Sequence, residues 1–123
     1  MVHGLDHFRR GFDALTAQVY WAGQIPSALG LIAIALVLFR HYLAPWVAVL
    51  VGFPMALGVA ASHLLPRWRS LSEAFPSSAV DALSYAAVLT EIAGALALGV
   101  AGACVLLVSG RLPIDPRGPL AAR

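Results

Sequence analysis

The stretch ALSYAAVLTEIAGALALGVAGACVLLVSG, residues 82–110, decides the fold, because it carries one charged side chain, Glu91. The hydrocarbon core of a bilayer is about 30 Å thick, and about 20 apolar residues of α-helix cross it. Two further stretches meet that requirement. Residues 14–39 hold no charge, and residues 41–66 hold none beyond His41 and His63. The spans are therefore expected near residues 20–39, 46–65 and 82–108. The predicted fold class is an all-α membrane protein: three transmembrane helices plus a short interfacial N-terminal helix.

Composition points the same way. The chain has 123 residues, of which 60% are hydrophobic and only 11% charged, with a mean hydropathy of +0.83. A soluble domain carries roughly 25% charged residues, so lipid must cover much of this surface. Three spans use most of the length and leave no room for a separate catalytic domain. All eight basic residues are Arg, and the net charge is +2. They sit in small groups at span ends, where Arg anchors membrane helices. A nucleic-acid surface would gather them on one face, so nucleic-acid binding is not expected. Cys104 is the only cysteine, which excludes an intrachain disulfide.

Residues 1–15 read as an amphipathic helix lying in the membrane interface. Leu5, Phe8, Phe12 and Leu15 recur at helical spacing, with Asp6, Arg9, Arg10 and Asp13 mostly elsewhere on the wheel. Residues 16–110 form the transmembrane bundle. The first apolar run is too long for a signal-peptide core and reads as a retained span. Pro26 and Pro54 fall inside the first two spans, where neighbouring helices can satisfy the freed backbone groups. The turn 40–45 is short enough to impose an antiparallel hairpin. Residues 66–78 form the one substantial loop. In it, Ser70 with Glu73 has capping-box spacing, and Ser78 with Asp81 repeats it, which places the N-cap of the third span at Ser78. Residues 111–123 read as a disordered tail. Tyr20, Trp21, Trp68 and Tyr85 fall at one predicted interface, Tyr42 and Trp46 at the other, as the aromatic-belt rule requires. Arg9, Arg10, Arg67 and Arg69 lie on the N-terminal side. Arg40, Arg111, Arg117 and Arg123 lie on the other. With the totals equal, the two Arg before the first span against one after it favour a cytoplasmic N-terminus.

Within lipid, helices associate through close packing and polar contacts. Small residues recur four apart in the second span (Ala48, Gly52, Ala56, Ala60), and a row in the third has the same spacing (Ala87, Ala95, Gly99, Ala103, with Glu91 between the first two). The two rows are expected to dock on each other or on a second copy of the chain. Glu91 falls on the third-span row. A carboxylate there costs on the order of 3 kcal/mol to insert, so it needs a partner. Counting along the helices places Gln24, His63, Thr90 and Ser62 at a similar depth. The five residues form a candidate intramembrane polar cluster, with Glu91 bonded to Gln24 or His63. An interhelical clamp and a proton-linked or ligand-binding site are the two readings.

No nucleophile motif, phosphate-binding loop or HExxH sequence occurs, so neither catalytic nor cofactor-binding residues are assigned. His3, His7 and His63 fall on the same side as Glu73 and Asp81, and two His at i, i+4 with a third can bind a metal. No second motif supports them, and no metal is assigned. His41 and His63 lie at opposite ends of the second span, which excludes them as a haem pair.

The segments FRHYLAPWVAVLVGF, SHLLPRWRSLSEAF and VDALSYAAVLTEIAGALALG resemble small uncharacterised integral membrane proteins of actinobacterial type. The resemblance implies a multi-pass protein of the bacterial plasma membrane and no particular activity. The expected function is that of a non-enzymatic accessory or assembly subunit, a homo-oligomer or a component of a larger complex in the bilayer. The alternative is a small oligomeric transporter or channel that uses Glu91.

Overall fold

The structure is a computed structural model; it describes residues 2–11, 16–77 and 80–110, with the side chains of Val2, His3 and Ser77 outside that set. Four α-helices follow one another: α1 (Val2–Arg10), α2 (Ala17–Leu38), α3 (Ala44–His63) and α4 (Ala82–Val108), with a 3₁₀ turn at Phe75–Ser77 before α4. The last three are long and apolar enough to cross a membrane. The molecule is an all-α, three-span fold with a short N-terminal helix.

Each span begins and ends for a local reason. The Thr16 hydroxyl caps α2 by accepting from the Val19 N–H, and it donates to the Ser70 carbonyl at 2.8 Å. At the far end, Arg40 adopts a left-handed φ of +52°. Its N–H reaches the Val37 carbonyl, and the His41 N–H reaches Leu36. That pair of bonds is a Schellman motif, which closes the orphan carbonyls of the last turn. Pro45 sits in the first turn of α3, where its missing N–H costs nothing. The hairpin between α2 and α3 is therefore short and stiff. Asp81 caps α4: its Oδ1 accepts from both the backbone N–H and the hydroxyl of Ser84, each at 3.0 Å.

Several expectations are corrected here. Asp81 is the N-cap, not a first-turn residue, and Ser78 lies outside the described residues. Ser70 and Glu73 do not form a capping box, because residues 66–74 are irregular and Glu73 turns to α1 instead. The N-terminal helix ends at Arg10, and Gly11 follows with φ +84°, a conformation that glycine adopts without strain. Phe12, Asp13, Leu15 and the tail 111–123 lie outside the described residues. Helices α2 and α3 begin at residues 17 and 44, a few residues ahead of the expected spans.

The tight seam of the molecule lies between α3 and α4. Ala48, Gly52 and Ala56 of α3 are buried, as are Ala87, Ala95 and Gly99 of α4, while Ala60 and Ala103 are half-buried. The backbones nearly touch at Gly52. A Cβ built there would fall 2.5 Å from the Gly99 nitrogen and 2.6 Å from the Ala95 carbonyl oxygen. Gly102 allows the same approach further along α4, where a Cβ would meet the Pro45 carbonyl at 2.6 Å. Close approach of this kind maximises dispersion contact, which is what remains to join helices when lipid removes the hydrophobic drive. Leu89, Leu96 and Leu107 point outward from the seam. Helix α2 stands further off and buries only Gly30 and Ala33.

Gly52→Ala is expected to force α3 and α4 apart and to destabilise the fold by roughly 1–3 kcal/mol. Gly94→Ala, where a Cβ meets nothing within 4 Å, is expected not to lower stability. Unfolding of both variants in detergent by circular dichroism checks the pair.

Candidate functional site

The ion pairs among the described residues gather at the end of the bundle where α1, the 64–77 loop and the start of α4 meet. The loop first completes the end of α3. The Trp68 indole N–H donates to the Ala61 carbonyl at 2.9 Å, and the Ser72 hydroxyl to the Ser62 carbonyl at 3.3 Å. These are carbonyls that the helix cannot satisfy internally. The loop then drives Phe75 into the molecule, where it is 1% exposed. Its ring lies 5.0 Å from His63 and 5.2 Å, edge-on, from Tyr85. The Arg10 guanidinium sits 5.5 Å from the ring centroid, within cation–π range.

Helix α1 docks with its polar face inward. Leu5 and Phe8 point out, 70% and 75% exposed, while Asp6 is 5% exposed. An interfacial helix normally turns its charges to water; here Asp6 turns to the protein and the apolar face is exposed. Asp6 Oδ1 accepts from Arg9 at 2.8 and 3.0 Å, and Oδ2 from Arg10 Nε at 2.8 Å. Arg9 Nη2 also donates to Asp81 at 3.0 Å and to the Ser84 hydroxyl at 3.2 Å. Arg10 Nη1 donates to Glu73 Oε1 at 2.8 Å. Two guanidinium groups thus tie α1 to the α4 cap and to the loop.

Glu73 is the hub. Its Oε2 lies 3.5 Å from His7 Nε2 and 3.4 Å from His63 Nδ1. The His63 Nδ1 is also 3.3 Å from the Glu73 carbonyl oxygen, and Arg10 Nη2 is 3.1 Å from His7 Nδ1. The neighbours assign the tautomers. A carbonyl requires a proton on His63 Nδ1, and a guanidinium N–H requires a lone pair on His7 Nδ1, leaving the His7 proton on Nε2. The ligating atoms of His7, His63 and Glu73 all lie within 4.8 Å of one another. Sequence spacing puts His7 and His63 on one side but does not show that they meet at Glu73.

Burial would raise the Asp6 carboxyl, but hydrogen bonds from Ser84, Arg9 and Arg10 outweigh it and bring the group to about 2. Burial and the Arg10 charge lower the His7 imidazole to about 4, against the raising pull of Asp6 and Glu91. Asp81 is lowered by its bonds to the Ser84 N–H and hydroxyl, with help from Arg9.

Below this surface an open cleft of about 1010 Å³ separates α2 from α3 and reaches α1 and the loop. Gln24, Ser62, His63 and Glu91 of the expected intramembrane cluster line it, together with His7 and Trp68. Thr90 does not line the cleft and is exposed. His63 is 4% exposed and pairs with Glu73, a residue whose spacing from Ser70 suggests a helix cap. Glu91 is half-buried on the cleft wall. No family model, no curated protein and no solved structure matches this chain.

Acid is expected to undock α1 in two stages. His7 takes up a proton on release as the pH falls from 6.5 toward about 4, and Asp6 does so from 3.8 toward about 2. In both cases the released form binds more protons, so docking is favoured above these windows and lost below them. Amide hydrogen exchange of α1 across pH 7 to 2 reads the effect. Asp6→Asn is expected to weaken docking by about 2 kcal/mol at pH 7 and to remove the lower stage.

Proposed function

We propose that this chain is a non-enzymatic accessory or assembly subunit of a larger membrane complex. One observation carries the reading: α2 buries only Gly30 and Ala33, and the space between it and α3 is an open, largely apolar cleft. Three helices that filled their own interior would leave no such gap. An apolar element entering it, a partner helix above all, would gain the dispersion contacts that α2 alone does not make. The setting is a bacterial plasma membrane, with the N-terminus cytoplasmic on the strength of Arg9 and Arg10 preceding the first span.

A second reading has its own support. Glu91 and Gln24 stand on the wall of the same cleft beneath His7 and His63. That is a polar path from one surface into the membrane, as a small oligomeric transporter driven by an intramembrane carboxylate would use. Glu91→Gln separates the two readings. A subunit keeps its assembly with this variant, because Gln still forms hydrogen bonds; a proton-coupled carrier loses its flux.

Extraction of the full chain from native membranes into nanodiscs tests the first reading. Recovery of a partner protein at fixed stoichiometry is the expected result. A homo-oligomer alone, with flux lost in Glu91→Gln, contradicts it.

A further inference from the structure

The imidazole–carboxylate spacing within the His7–His63–Glu73 cluster is long for hydrogen bonds and right for a shared metal ion. Glu73 Oε2 is buried and has no hydrogen-bond partner among the described residues. It stands 3.5 and 3.4 Å from the two imidazole nitrogens, whereas N–H···O bonds cluster near 2.9 Å, and charged ones are shorter still. Two ligands held at about 2.1 Å on one tetrahedral centre lie about 3.4 Å apart. The donor set is chemically suited as well: two imidazoles and one carboxylate are what zinc-type sites take, with a fourth position left for water. From these distances we infer that His7, His63 and Glu73 form a site for a divalent transition-metal cation of the zinc class, at the membrane surface, joining α1 to the end of α3. The inference is independent of the subunit proposal.

Charge does not oppose the cation. Arg9 and Arg10 face three carboxylates, Asp6, Glu73 and Asp81, and Glu91 lines the adjoining cleft. Arg10 Nη1 on Glu73 Oε1 is an outer partner that orients the ligating carboxylate and leaves Oε2 for the ion. Binding through His7 Nε2 and His63 Nδ1 needs those nitrogens without protons. Each imidazole therefore moves its proton to its other ring nitrogen, with no net release. The Arg10 Nη2 contact with His7 Nδ1 must then open, because both groups would donate. Arg10 thus competes with the metal for His7 while supporting Glu73, and its removal has a distinctive consequence.

The test is titration of the chelator-stripped full chain in nanodiscs with Zn²⁺ and with Co²⁺, whose visible spectrum reports tetrahedral coordination. One equivalent is expected to bind saturably, with tetrahedral Co²⁺ bands. His63→Gln and Glu73→Gln are each expected to weaken it by more than about tenfold, and His41→Gln, at the other end of α3, to leave it unchanged. Arg10→Ala guards against variants that merely undock α1: this variant loses the Arg10 bonds to Asp6 and Glu73 and keeps those of Arg9, and metal is expected to restore the amide protection of α1 that it loses. Absence of saturable binding by the unmodified chain overturns the proposal. So does binding that survives both His63→Gln and Glu73→Gln but is lost in His3→Gln, which would place the ion on the N-terminal segment alone. Failure of metal to restore α1 in Arg10→Ala also counts against it.

Discussion

The ion pair between Arg10 and Glu73 is the contact on which the N-terminal half of the structure depends. It joins a nine-residue helix, too short to hold its shape alone in water, to a loop with little regular structure of its own. Without it, α1 loses its 2.8 Å ion pair to the loop, and Phe75 loses the guanidinium above its ring. The pair is partly buried, with 18% and 13% of the two side chains exposed. Arg10 is held in place by a second carboxylate, Asp6. Breaking such a pair leaves a charge behind in a poorly solvated site, which costs more than the pair itself contributes.

Deeper in the membrane a different rule governs. Charges are absent from the closest-packed stretch of the α3–α4 seam. Stability there comes from backbones close enough to exclude any side chain beyond hydrogen at Gly52 and Gly102. The two regimes meet at the end of α3. His63 is the last residue of that helix and at the same time packs on Phe75 and faces Glu73. The rigid seam thus fixes one imidazole of the polar cluster, and the docked α1 brings the other to it. Any function of the cluster depends on both.

The spans were legible from the sequence because membrane crossing is a one-dimensional requirement, length and absence of charge, that residues 82–110 meet on their own. The small-residue rows were legible because i, i+4 spacing is fixed by helix geometry. What the sequence hid was the 64–77 loop. Glu73 has ordinary capping-box spacing from Ser70, and nothing local says that its partner is Arg10, 63 residues earlier. Phe75 reads as a loop residue and is among the most buried side chains; an aromatic followed by proline inside a polar loop was the signal available. The amphipathic pattern of α1 was correctly periodic, but periodicity cannot say whether its polar face meets water or protein. Glu91 and Gln24 were placed by depth, and the cleft that gathers them arises because α2 stands off from α3, which residue counting does not contain.

Pulsed electron–electron distance measurement between spin labels at Phe8→Cys and Leu71→Cys, on a Cys104→Ser background in nanodiscs, tests most directly whether α1 is clasped to the loop through its polar face. Both label positions are exposed, so the labels leave the clasp intact. A single narrow distance distribution that broadens on Glu73→Gln is the predicted result. A broad distribution in the chain with Glu73 intact would contradict the account.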